Sequence, residues 1–108
     1  MKVVCEDKMI MELEMAETFL KRFLGLMGRK CLKDNSALLL KPCSSIHTCF
    51  MKFPIDVIYL NKNYQVLYKE TVKPWKTGKI VKGAKMVLEM AAGQGGCLHT
   101  GDRLRIVE

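Results

Sequence analysis

No apolar run in this sequence exceeds a few residues, and Ala37-Leu38-Leu39-Leu40 is typical of the longest. A membrane-spanning helix needs about 20 predominantly apolar residues, so none is encoded. The opening residues, Met1-Lys2-Val3-Val4-Cys5-Glu6-Asp7, reach charge before a signal-peptide core could form. The expected compartment is therefore the cytoplasm, unless a leader precedes the chain. Internal repeats, low-complexity tracts and linker-like stretches are missing too, so the 108 residues are expected to make one domain over 1–108.

Acids are in short supply. Eleven Asp and Glu against 18 Lys and Arg give a net charge of +7 and a pI near 9.3. That balance favours anionic partners: an anionic polymer such as nucleic acid, an acidic lipid or an acidic protein, and a small-molecule ligand stays open. No RNP, KH or zinc-finger signature is present, which argues against sequence-specific reading of nucleic acid. Neither a pair of CxxC motifs nor HxxxH occurs, and no glycine elbow marks a nucleophile, so the sequence names no reaction and no cofactor. The five cysteines are an odd number without an export signal, which predicts reduced thiols.

What is present is a globular composition, 49% apolar and 27% charged. Met9, Met11, Leu13 and Met15 alternate with other residues and predict a half-buried strand. Over 17–27 the period changes: Phe19 with Phe23 and Leu20 with Leu24 pair at i,i+4, which predicts a helix. Strand-like runs follow at 37–41, 48–53, 55–60, 65–72, 84–90 and 103–107, with a hairpin turn at Asn61-Lys62-Asn63. The expected fold is mainly β (α+β), a small β-sandwich or barrel-like domain with one helix near the N-terminus.

Several blocks carry a resemblance. They are Gly25-Leu26-Met27-Gly28-Arg29, then Ile46-His47-Thr48-Cys49-Phe50-Met51-Lys52-Phe53-Pro54-Ile55-Asp56-Val57, and Pro74-Trp75. Ala84-Lys85-Met86-Val87-Leu88-Glu89-Met90-Ala91-Ala92-Gly93 and Gly101-Asp102 complete the set. In this order, across about 16–108, they resemble the domain-of-unknown-function 192 family. The resemblance implies a compact, mainly β domain with a helix near the N-terminus and brings no activity, substrate or cofactor with it.

Four constellations could carry chemistry. Cys43, His47 and Met51 recur at intervals of four, as in the ligand loop of blue copper sites, with His99 as the second imidazole. Cys43, His47 or Cys49, Cys97 and His99 alternatively offer zinc its four N and S ligands, against the plainer reading of small thiols filling a core. Cys49 lies two residues from His47, and Asp56 could orient the imidazole of a thiol nucleophile. Asp56 and Glu89 sit in apolar company and need partners, as structural acceptors or as an acid–base pair.

The fourth constellation is basic. Lys73, Lys76, Lys79, Lys82 and Lys85 recur every third residue around Trp75, with no acid from Thr71 to Val87. Lysines beside an exposed aromatic suit an anionic polymer, whereas an ordinary loop would tuck Trp75 into the core. The preferred reading is a binding module for an anionic ligand, using His47, Met51, Asp56, Trp75, Lys73, Lys76 and Glu89. Its alternative is a metal- or thiol-dependent site on Cys43, His47 and Cys49.

Overall fold

The computed structural model describes residues 1–18 and 35–108. Seven strands among them form one sheet: β1 (Lys2–Cys5), β2 (Met9–Ala16), β3 (Ser36–Leu40), β4 (Ile55–Leu60), β5 (Val66–Val72), β6 (Met86–Ala91) and β7 (Arg105–Val107). Their order is β5-β4-β6-β3-β2-β1-β7, antiparallel throughout except for the parallel pair β2–β3. A parallel pair needs a crossover of about a dozen residues or more, which the connection from β2 to β3 supplies.

Burial explains the sequence pattern strand by strand. The central strands β3, β4 and β6 are buried on both faces and read as mostly apolar runs, interrupted by Asp56 in β4 and Glu89 in β6. Strand β2 keeps the alternation of a half-buried strand, with Met11 in the core and Met9, Leu13 and Met15 packed against it. The inner face gathers Val3, Leu39, Ile58, Leu88, Leu98 and Leu104 into one cluster drawn from both ends of the sheet.

That cluster can form because the sheet curls and its outermost strands meet at one corner. Gln65 and Arg103 bridge there, Val66 N–H donates to Asp102 O at 2.7 Å, and Leu104 N–H donates to Tyr64 O at 2.8 Å. A second cluster lies on the outer face, where Leu38, Leu40, Val57 and Tyr59 meet Ile46, Met51 and Ala84. These last three belong to two irregular segments, 41–54 and 73–85, which lie over the outer face as a cap.

The expected fold class is corrected by this architecture. Among the described residues all long regular structure is strand, in a single seven-stranded sheet with no helix and no second packed sheet. The physical reason is the strand order: the N- and C-terminal strands join the same ladder as the central ones, so the sheet covers its own inner face by curling. Of the helix expected over 17–27, Glu17 and Thr18 are irregular, and 19–27 lies outside the described residues.

The strand expected at 48–53 is also corrected. A turn closes there, with Met51 N–H donating to Thr48 O at 3.1 Å and Phe50 left-handed at φ 65°. The expected hairpin at 61–63 is present, with Asn61 Oδ1 accepting from the N–H groups of Asn63 (2.8 Å) and Gln65 (3.0 Å).

Candidate functional site

The cap is built around one hydroxyl. Thr48 has no exposed surface, and its Oγ1 donates to Lys73 O at 2.5 Å while accepting from Lys76 N–H at 2.9 Å. Lys73 and Lys76 are the first and last residues of the turn Lys73-Pro74-Trp75-Lys76, so the hydroxyl stands where a direct cross-turn hydrogen bond would run. Backbone bonds complete the lock: Thr48 N–H donates to Lys76 O at 2.7 Å, and Trp75 N–H donates to Thr48 O at 2.9 Å. His47 bridges Thr77 on the same ribbon, and Gly78 N–H donates to Ile46 O at 2.9 Å.

Two turns are thereby held side by side, each with an aromatic residue in its third position. Phe50 (φ 65°) and Trp75 (φ 62°) are both left-handed. In turns of this kind the third position is ordinarily taken by Gly or Asn, because a bulky side chain there is strained. Both aromatics are also well outside the core, 60% and 59% exposed, with ring centroids 4.6 Å apart and planes at 59°. Lys52, Lys73 and Lys76, one or two positions from them in the chain, are exposed.

The base of the cap is tied to the sheet by Tyr59. Its hydroxyl donates to Glu70 Oε2 at 2.6 Å, and the same oxygen accepts Lys79 N–H at 2.8 Å. Burial, reinforced by the Glu70 carboxylate, holds the phenol protonated far above its ordinary range. Gly78 packs directly on this hydroxyl, and a Cβ there would also lie 2.9 Å from Ile46 Cγ1.

Asp56 belongs to a different place. Its Oδ1 accepts from Thr71 Oγ1 at 2.7 Å, and its Oδ2 accepts from the N–H groups of Gly93 and Gly95, each at 2.9 Å. It lines a cleft of about 340 Å³ with Lys69, Thr71 and the 93–96 turn. Lys69 Nζ donates across that cleft to Gly96 O at 3.2 Å. Asp56 stands opposite Met90 in the ladder and Glu89 stands opposite Val57, so the two carboxylates face opposite sides of the sheet. Glu89 is buried on the outer side, in the same row as Leu38.

The structure therefore joins some of the sequence candidates and separates others. Trp75, Lys73 and Lys76 share the cap with the turn that carries His47 and Met51. Within that turn Met51 is buried in the outer cluster and seats the backbone, while His47 is half-buried and its Nδ1 accepts Cys49 N–H at 3.3 Å. Asp56 lies on the face of the sheet away from the cap and does not orient His47.

Cys43 packs against the outer cluster. Cys97 and His99 are exposed in the segment that leads to β7. Cys5, Cys43, Cys49 and Cys97 are outside any disulfide, and Cys31 lies outside the described residues. Among the described residues no group of three or more His, Cys, Asp or Glu side chains stands close enough to hold a metal ion. Sequence reasoning did not single out Thr48, Phe50, Lys52 or Ile80. The available signal was a run without acids over 41–54 matching the one over 73–85.

A family model, DUF192, described as "Uncharacterized ACR", matches residues 2–106. A UPF0127 protein of Pyrococcus furiosus is 38% identical over 98 residues, covering 86% of this chain and 84% of its own length. Another, from Pyrococcus horikoshii, is 36% identical over 85 residues, covering 76% of this chain and 74% of its own. Among solved structures, a Novosphingobium aromaticivorans protein of unknown function superposes with a TM-score of 0.86 at 19% identity. It is matched over 97% of this chain and 84% of its own. A Sinorhizobium meliloti protein, described as a candidate transcription regulator, superposes at 0.80 and 19% identity, over 96% of this chain and 89% of its own. At such identity these two likenesses are of fold alone.

Proposed function

The chain belongs to the DUF192 family, which carries a fold without an assigned activity, and on that premise we propose that it is a non-catalytic binding domain for an anionic partner. The contact surface is the Phe50–Trp75 pair with Lys52, Lys73 and Lys76 around it. One observation carries this reading: two large aromatics are held exposed, side by side, in a backbone conformation that costs about 1 kcal/mol or more for each. A fold indifferent to that surface would accept glycine or asparagine at both positions. Strain kept at an exposed position is the mark of a site where presentation outweighs stability.

Lysines around an aromatic pair attract polyanions and then hold them by apolar contact. Binding should therefore combine a steep salt dependence with a requirement for Trp75. The test is a titration of the full chain against heparin, a single-stranded oligonucleotide and phosphatidylglycerol vesicles at two ionic strengths. The expected outcome is binding to at least one polyanion that weakens as salt rises. It should fall by about tenfold or more in Trp75→Ala and in Lys73→Glu/Lys76→Glu. Absence of salt-dependent binding to all three polyanions would remove the proposal.

A further inference from the structure

The cap differs from the rest of the molecule in charge. Segments 41–54 and 73–85 hold seven lysines, at 41, 52, 73, 76, 79, 82 and 85, and no acidic residue. The other 11 Lys and Arg are matched by all 11 Asp and Glu, so the whole net charge of +7 resides on the cap. Six of the seven lysines are exposed; Lys41 is half-buried with its Nζ donating to Tyr64 OH at 2.8 Å, and Lys79 Nζ lies 5.5 Å over the Tyr68 ring.

The cap also gathers apolar surface. Five large hydrophobics are exposed among the described residues; Met1 and Ile10 lie on the first two strands' side, while Phe50, Trp75 and Ile80 belong to the cap, with Ile80 91% exposed. Soluble surfaces scatter single apolar residues, but three on two adjoining segments whose own charges are all lysine mark an interaction surface.

We propose that the cap docks on an acidic lipid surface, its lysines held over the headgroups while Phe50, Trp75 and Ile80 enter the interfacial layer. This rests on the anionic-partner reading above and names the partner's class. Three features favour lipid over nucleic acid. The cap's cations are all lysine, with no arginine, which suits diffuse attraction to a charged surface better than bidentate recognition of phosphates. Ile80 has no ring to stack on a base, yet it is more exposed than either aromatic. Phe50 and Trp75 are tilted against each other, which makes a compact apolar knob rather than two open parallel faces for successive bases. Trp is itself a preferred residue at the lipid–water interface.

Trp75 is the only tryptophan, so its emission reports its own insertion. The experiment mixes the full chain with vesicles of phosphatidylcholine alone, or with about a third phosphatidylglycerol, and follows emission, quenching by lipids brominated in the acyl chain, and co-sedimentation. The expected result on acidic vesicles is a blue shift with quenching, and neither on neutral ones. Lys76→Glu and Lys82→Glu should each weaken partitioning by about fivefold or more. Ile80→Ser, at a site too exposed to disturb folding, should weaken it at unchanged charge. Unshifted Trp75 emission on acidic vesicles overturns the lipid assignment. If a single-stranded oligonucleotide then binds and quenches Trp75, the anionic-partner reading survives with nucleic acid as the partner. If no polyanion binds, both readings fall together.

Discussion

Thr48 does with one hydroxyl what a turn ordinarily does with its own backbone. The hydroxyl links Lys73 O to Lys76 N–H, so the turn that carries Trp75 is closed from a different segment of the chain. Thr48→Val would keep the shape and remove the link, leaving the part-buried Lys73 carbonyl and Lys76 N–H short of this partner. The expected cost is about 1–3 kcal/mol, read from the denaturant midpoint. The distinguishing signature is a change in the emission of Trp75, because the variant loosens the turn that presents it. A destabilised variant whose native emission matches wild type would mean that Thr48 supports the core and not the presentation of Trp75.

Among the connecting elements, the turn between β1 and β2 and the segment before β7 are held together by charge. Lys8 Nζ lies 2.6 Å from Asp102 Oδ2, which also accepts His99 N–H at 2.8 Å. Lys8 first, then the His99 amide, hold the Asp102 carboxyl below its ordinary 3.8. A carboxyl depressed in the folded state contributes stability that is fully present above its unfolded value and lost as pH falls through the folded one. Stability should therefore decline as pH drops below about 4, and Asp102→Asn should flatten part of that decline while being less stable at neutral pH. Denaturation midpoints at several pH values check both. Parallel pH profiles for the variant and wild type would show that this pair adds nothing to the closure of the sheet.

For the molecule as a whole, concentrating the net charge on one cap has a cost in stability. Seven lysines on two segments that carry no acid of their own repel one another, Glu70 at the base offsetting only part of it, and salt screens that repulsion. The thermal midpoint should therefore rise between low salt and about 0.3 M, and Lys76→Glu/Lys82→Glu should reduce that rise. The same double variant should change stability at physiological salt by no more than about 0.5 kcal/mol, as exposed substitutions usually do. A midpoint that falls with salt would mean that exposed pairs such as Lys2–Glu12 and Arg105–Glu6 outweigh the repulsion of the cap.

Features that are local and periodic could be read from the order of residues alone. Strands at 9–15, 55–60, 65–72, 84–90 and 103–107 were legible within two residues, because alternation and mostly apolar runs follow directly from which faces are buried. The Asn61 hairpin was legible because a short amide side chain caps its own turn, and the lysine-rich stretch because charge needs no fold to be counted. Other features depended on neighbours remote in the chain. Lys2–Cys5 is a strand because it lies between β2 and β7, which its own short pattern does not reveal. Thr48–Phe53 has strand-like composition but forms a turn, since Thr48 is captured by residues 73–76. Asp56 and Glu89 look alike in sequence, and register alone puts one in a glycine-amide cradle on the inner face and the other on the outer. Trp75 is exposed for the same reason: a hydroxyl 27 positions away holds its backbone left-handed, and no pattern within its own segment records that bond.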